Sequence, residues 1–136
     1  MVSPAPSHMR ATFGFDVLDF EGARALNTHP DSNLWVPVPS TARRIRWEFG
    51  ILPGAYTGDN GRTNGVEFLV DAETPDGGHR TIFRRVLTPD TVQTDRGVQG
   101  SEVPFLPQPG EVLVFRTRNN GNAAFDWAVW RSIEVQ

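Results

Sequence analysis

The segment Arg43-Arg44-Ile45-Arg46-Trp47-Glu48-Phe49 decides the fold class of this chain. Its apolar residues Ile45, Trp47 and Phe49 alternate with charged residues, and a period of two is the pattern of a β-strand that buries one face. We therefore predict that these three side chains point into a hydrophobic core. The charged residues between them are expected to face solvent.

Similar strand-like segments recur along the chain, separated by clusters of glycine and proline. The 13 glycines and 11 prolines lie between these segments rather than in one linker. The segments are residues 12–17, 33–38, 66–71, 80–87, 111–118 and 126–135. No window has convincing helical periodicity, and Glu21–Leu26 is at most a turn or two of helix. About eight short strands predict an all-β fold, an antiparallel β-sandwich of two sheets.

The composition limits the classes of function. At 136 residues the chain is long enough for one domain with a substantial core. All 13 basic residues are arginine, and the net charge of −3 argues against a general nucleic-acid-binding protein. The lack of cysteine excludes disulfides, thiol nucleophiles and cysteine metal sites. No apolar run reaches the roughly 18 residues that span a bilayer, so we expect no direct membrane insertion.

The first ten residues differ in character from the rest. They are rich in proline and serine, have no apolar centre typical of a signal peptide, and contain Ser7-His8-Met9, which resembles a cloning scar. We therefore predict a flexible tail or cloning-derived segment over residues 1–10 and a single domain over residues 11–136. This division also indicates a domain taken from a larger protein.

Several segments together resemble a known family, the NPCBM carbohydrate-binding modules. They are Leu34-Trp35-Val36-Pro37-Val38-Pro39, Arg46-Trp47-Glu48-Phe49-Gly50-Ile51, Ala55-Tyr56, Thr63-Asn64-Gly65-Val66-Glu67-Phe68-Leu69-Val70 and Asp126-x-Ala128-x-Trp130. The motif Arg85-x-Leu87, with Pro89 and then Asp95-Arg96-Gly97, resembles a variant in periplasmic parts of bacterial membrane glycosyltransferases. The resemblance covers about residues 33–136. It implies a jelly-roll, an extracytoplasmic location and a glycan-binding accessory role, although Asn64 replaces a common aspartate.

Two tryptophans lie three residues apart in the closing segment. Trp130 matches the buried tryptophan of the resembled family, so we expect it in the core. Trp127 should then face the other way, because side chains alternate along a strand. There it could stack on a sugar ring, or it could pack under a loop or against another domain. Trp35 has a less distinct setting, which favours the core.

Two polar loops near these tryptophans carry the chemistry of sugar recognition. A sugar site combines an aromatic ring with planar polar groups that bind neighbouring hydroxyls. The predicted ligand-binding residues are Tyr56, Arg62, Asn64, Arg118, Asn120, Asp126 and Trp127, with Trp127 or Tyr56 as the stacking ring. Loops at one end of a sandwich cluster together, which would bring these residues to one rim. The alternative is that Asn-Gly and Asp-Asn-Gly simply form tight turns.

The sequence contains no complete metal motif. An EF-hand beginning at Asn60 is excluded because Arg62 occupies its third position, which requires an oxygen ligand. A structural calcium bound by loop carbonyls and one or two of Asp16, Asp19 and Asp126 stays open, and we expect no other cofactor. The three histidines lack the spacing of zinc ligands.

Nothing in the sequence indicates an enzyme. It has no nucleophile elbow and no phosphate-binding loop, and Asp71, Glu73 and Asp76 resemble a solvated hairpin before Gly77-Gly78. We therefore expect a non-catalytic module that binds glycan as an accessory domain of a glycan-handling protein. The alternative is a structural domain that docks on a protein partner, such as a neighbouring domain, and binds no glycan. A third hypothesis, which fewer residues support, is a hydrolase of unfamiliar type.

Overall fold

The computed structural model describes residues 2–136 as two antiparallel sheets packed face to face. The strands are β1 Val2–Ser3, β2 His8–Ala11, β3 Asp16–Phe20, β4 Ala23–Asn27, β5 Ser32–Pro37, β6 Arg44–Ile51, β7 Val66–Glu73, β8 His79–Leu87, β9 Gln99–Pro104, β10 Val112–Asn119 and β11 Ala128–Val135. The helix α1 covers Gly54–Thr57, and a 3-10 turn covers Gln93–Asp95.

The first sheet has the strand order β3-β4-β11-β6-β9, and β1 runs parallel to the end of β11. The second sheet has the order β2-β5-β10-β7-β8. This arrangement confirms the predicted all-β sandwich, although the described residues form eleven strands instead of about eight.

Aromatic residues from both sheets meet around Trp130. Its ring centroid lies 5.8 Å from that of Phe49 in the first sheet, and 5.4 and 5.3 Å from those of Phe68 and Phe115 in the second. Such edge-on and tilted contacts stabilise a core beyond the burial of area alone. Trp130 and Trp47 are both fully buried, as predicted. The indole therefore joins the two layers.

Two strands depart from the sequence-based prediction. A turn or two of helix was the most that the sequence predicted at Glu21–Leu26. Residues 23–27 instead form β4, which pairs with β3. Glu21 and Gly22 connect these strands with φ angles of 48° and 85°, the two positive values that a two-residue hairpin requires. The edge strand β9 was not predicted, because glycine and proline are uncommon within strands. It pairs with β6 alone.

The N-terminal residues also differ from expectation. Residues 8–11 form β2 and pair with β5, and the ring of His8 lies 4.9 Å from that of Trp35. Residues 2–10 are therefore not a free tail, while Met1 lies outside the described residues. Trp35 is half-buried on the outer face of the second sheet rather than in the core.

Five loops gather at one end of the sandwich, which we call the loop end. They are residues 12–15, 28–31, 52–65, 88–98 and 120–127. The antiparallel register brings these loops together, since Asn119 pairs with Val66, and Ala128 pairs with Ile51. Because the strands end at the same edge of each sheet, the loops that follow them lie close together.

Truncating the central indole should strongly destabilise the fold. For Trp130→Ala we expect the free energy of unfolding to fall by about 3–5 kcal/mol, because a large cavity would open between the sheets. Urea unfolding monitored by circular dichroism measures the loss. Leu106→Ala is the control, since Leu106 is 71% exposed and its loss should be near zero. A loss below about 1 kcal/mol for Trp130→Ala would contradict this account of the core.

Candidate functional site

The structure brings all seven predicted site residues to the loop end. Tyr56, Arg62 and Asn64 lie in the loop 52–65, and Arg118 lies near the end of β10. Asn120, Asp126 and Trp127 lie in the loop 120–127. Convergence of the loops occurs as expected, but the contacts of each side chain differ.

Tyr56 lies beneath other groups rather than at the surface. It is 5% exposed, and the guanidinium carbon of Arg96 lies 4.9 Å from its ring centroid. Arg62 donates from Nη1 to the carbonyl oxygen of Tyr56 at 2.7 Å and to Oδ1 of Asp90 at 3.0 Å. Cation–π stacking therefore occupies the ring that could have held a sugar. Of the two candidate rings, only Trp127 is open to solvent.

Asn64 and Asn120 tie two loops together. Nδ2 of Asn64 donates to the carbonyl oxygen of Asn120 at 2.5 Å, and Nδ2 of Asn120 donates to the carbonyl oxygen of Asn64 at 3.0 Å. These reciprocal bonds satisfy backbone groups that a tight turn leaves free. The two amides hold the rim in shape, and each keeps its oxygen and one N–H that a ligand could use.

Asp126 anchors the same rim from below. It is fully buried, and its Oδ1 accepts a hydrogen bond from the Thr63 hydroxyl at 2.5 Å, while Oδ2 has no partner among the described residues. Burial raises the pKa of Asp126 from 3.8 to about 6, against the opposing effects of the Thr63 bond and the charge of His29. The carboxyl group therefore holds loops together instead of facing a ligand.

Trp127 provides an exposed aromatic surface on a rigid base. Its side chain is 38% exposed, and its ring packs so closely on Gly54 that a Cβ there would lie 2.6 Å from Cζ3. Phe125 has a φ of 59°, and its ring lies over Gly61 and 5.8 Å from the ring of Trp127. The positive φ turns Phe125 back onto the loop. Two neighbouring glycines thus make room for a fixed aromatic pair.

A polar cavity of about 440 Å³ opens beside the loop end, on the outer face of the second sheet. It is lined by Arg10, Ala11, Thr12, Asp31, Asn33 and Arg118. Only Arg118 belongs to the predicted set. Arg10 was assigned to the tail, and the cavity joins residues from β2, β5 and β10, so no local motif indicated it.

Phe13 and His29 form a second aromatic contact at this end that the sequence did not indicate. Phe13 is 65% exposed, and its ring lies 4.5 Å from that of His29 in an edge-on arrangement. A phenylalanine in a predicted strand gave no signal of exposure. The strand β3 begins only at Asp16, which leaves Phe13 in a loop.

The prediction of a solvated acidic hairpin is wrong for Asp71 and Glu73, which lie on β7. Asp71 is buried in the strand, where its Oδ2 accepts from Nε of Arg116 at 3.0 Å. Glu73 also pairs with Arg116, and only Asp76 lies in the turn. An arginine therefore joins two of the carboxylates that glycoside cleavage would require. No group of three or more histidine or acidic side chains in residues 2–136 is arranged to hold a metal ion.

Comparison with known proteins identifies the fold. No family model and no curated protein matches this sequence. The CBM51 domain of Clostridium perfringens GH95, solved in complex with methyl-galactose, is 13% identical, with a TM-score of 0.64 over 96% of this chain and 94% of its own. The K2 cleaved adhesin domain of Lys-gingipain is 14% identical, with a TM-score of 0.58 over 94% of this chain and 81% of its own.

A third structure contains the CBM51-2 domain, in complex with GlcNAc, and the INT domains of Clostridium perfringens ZmpB. It is 16% identical, with a TM-score of 0.56 over 99% of this chain but 28% of its own. The chain therefore has the jelly-roll fold of carbohydrate-binding modules. Within residues 2–136, the single α-helix is a four-residue turn, too short to cross a membrane.

The pKa of Asp126 predicts a pH-dependent stability. Because its folded-state pKa of about 6 lies above the ordinary 3.8, protonation stabilises the fold at low pH, and this contribution is lost as the pH rises through about 6. Asp126→Asn keeps the shape but does not titrate. Between about pH 4 and 8, we expect its unfolding free energy to rise relative to wild type by up to about 3 kcal/mol. Urea unfolding of both proteins across this range measures the difference, and parallel curves would contradict it.

Proposed function

We propose that this domain is a non-catalytic, NPCBM-like glycan-binding module, and that it serves as an accessory domain of an extracytoplasmic glycan-handling protein. The observation that carries the proposal is Trp127, a half-exposed indole fixed on Gly54 at the loop end. The apolar face of a sugar ring stacks on such a surface. The fold supports it, since similar structures were solved with methyl-galactose and GlcNAc.

The surroundings of Trp127 suit a shallow sugar site. Phe125 packs beside the indole, so the ring is already in place before a ligand arrives. Arg62 follows Gly61, on which the Phe125 ring packs, and its Nε and Nη2 form no hydrogen bond with residues 2–136. These donors are available for sugar hydroxyls. A site of this size should bind one sugar weakly, with a dissociation constant on the order of micromolar to millimolar.

Removal of the indole should abolish glycan binding without unfolding the domain. A glycan array probed with wild type and Trp127→Ala, each with and without calcium, measures this directly. We expect wild-type signals that the variant loses, because the stacking surface is gone. The calcium arm tests the structural calcium that the sequence leaves open. No signal from folded wild-type protein would reject the proposed function.

A methyl group at Gly54 provides a subtler test of the same surface. In Gly54→Ala the new Cβ would lie 2.6 Å from the Trp127 ring, so the indole must tilt or lift. We expect at least a fivefold weaker affinity for a glycan found on the array, measured by calorimetry. Gly100→Ala is the matched control, since its Cβ would meet only a backbone oxygen at 3.9 Å. Equal affinities for both variants would show that the sugar does not rest on Trp127.

A second candidate function, docking on a neighbouring domain, has its own observation. Opposite the loop end, Leu106 is 71% exposed, and beside it a cavity of about 520 Å³ is lined mainly by prolines and other apolar groups. The lining includes Pro37, Val38, Pro107 and Pro109. Exposed apolar surface of this kind favours a protein contact. Because it lies away from Trp127, docking there leaves the loop end free.

A further inference from the structure

Most arginines of the domain are paired with a carboxylate, and two exceptions share one cavity. Ion pairs are formed by Arg44, Arg46, Arg62, Arg80, Arg84, Arg85, Arg116 and Arg131. Arg10 and Arg118 form none with residues 2–136, and both line the cavity on the outer face of the second sheet. Arg24, Arg43 and Arg96 also form no ion pair with residues 2–136, but none of them lines this cavity.

Arg118 is held in a fixed orientation by neutral groups. Its Nη1 donates to the carbonyl oxygens of Ser32 at 3.2 Å and Thr117 at 3.1 Å, and its Nη2 donates to Oδ1 of Asn33 at 3.0 Å. Burial lowers the pKa of Arg118, and the charge of Arg116 acts in the same direction, against the opposing charges of Asp31, Asp71 and Glu67. The guanidinium is therefore oriented and partly desolvated, and an anion that reaches it forms a charge-assisted hydrogen bond.

The nearby carboxylates on β7 are paired with other arginines. Asp71 and Glu73 are bound by Arg116, which also donates to Asn33. Arg10 stands opposite Asn33 on the adjoining strand, so the two unpaired arginines lie on either side of this amide. With Asp31 on the same lining, the cavity carries two arginines and one carboxylate, which is a net positive charge.

Asp31 provides a hydrogen-bond acceptor on the same cavity wall. Its Oδ1 accepts from the backbone nitrogen of Asn119 at 3.1 Å and from its side-chain Nδ2 at 3.3 Å. Its Oδ2 accepts no hydrogen bond from residues 2–136, and it is available for a hydroxyl. The lining thus offers donors for an anion and an acceptor for a hydroxyl, with the hydroxyl of Thr12 nearby.

We propose that this cavity binds an acidic sugar, with the sugar carboxylate between Arg118 and Arg10 and a ring hydroxyl at Asp31. This inference deepens the proposed function and rests on it. A guanidinium binds a planar carboxylate through parallel charge-assisted hydrogen bonds, and this selects it over a neutral hydroxymethyl group. At about 440 Å³ the cavity is in the size range of small-molecule sites and accommodates one monosaccharide.

The test compares a neutral sugar with its own C6 acid and with a second acidic sugar. Domain labelled with ¹⁵N is titrated with methyl galactoside, methyl galactosiduronic acid and the methyl glycoside of N-acetylneuraminic acid, with acetate as a simple anion. We expect the acidic sugars to bind at least tenfold more tightly than the galactoside, with shifts at Arg10, Asp31 and Arg118. Acetate alone should bind far more weakly, because it offers no hydroxyl to Asp31. The two acids distinguish a uronic acid from a sialic acid as the source of the carboxylate.

Three variants test whether binding depends on the arginines of the cavity or only on the net charge of the domain. Arg118→Gln keeps a donor toward Asn33 but removes the cation, and Arg10→Gln does the same at an exposed position where folding is not at risk. Each should weaken binding of the acidic sugar about tenfold. Arg24→Gln is the control, since Arg24 is exposed on the first sheet and also lacks an ion pair within residues 2–136. An equal loss with Arg24→Gln would overturn the proposal.

The outcomes distinguish this inference from the proposed function. Equal affinity for neutral and acidic sugars, lost in Trp127→Ala, would overturn the acidic-sugar cavity and leave glycan binding intact. Acid-selective binding that depends on Arg118 supports the cavity, whatever Trp127→Ala does. If neither kind of sugar binds folded protein, the inference and the proposed function both fail.

Discussion

The burial of Trp130 between the sheets is the constraint on which the rest of the structure depends. Its indole contacts Phe49 on one sheet and Phe68 and Phe115 on the other, so β11 can adopt only the register that points this residue inward. A shift by one residue would expose it, because successive side chains face opposite sides. The same register sets where β11 begins, and it thereby places Asp126 and Trp127 at the loop end.

The polar residues of the loop end act mainly on one another. Asp126 accepts from Thr63, Asn64 and Asn120 bind reciprocally, and Arg62 bonds to the loop 88–98 through Asp90. These bonds lower the entropy that the loops would otherwise lose when a ligand binds. These bonds serve mainly as structural ties, whereas Trp127 and the arginine cavity are the proposed contacts with a ligand.

The sequence predicted those features of the fold that depend on local patterns of residues. The alternation around Trp47 and the closing Trp130 predicted the sandwich, its core and the convergence of the loops. The stacking of Arg96 on Tyr56 could not be predicted, because 40 residues separate them and only the folded loops bring them together. The cavity was missed for a similar reason, since Arg10, Asn33 and Arg118 come from three strands and Arg10 lay in an assumed tail.

The parallel pairing of β1 with the end of β11 has a consequence for how the domain can be attached. Val2 lies opposite Ile133, which places the start of β1 beside the last residues of β11, at the pole remote from the loop end. A linker joined to the C-terminal end would hold the domain by this pole. The aromatic pair Phe125 and Trp127 would then face away from the point of attachment.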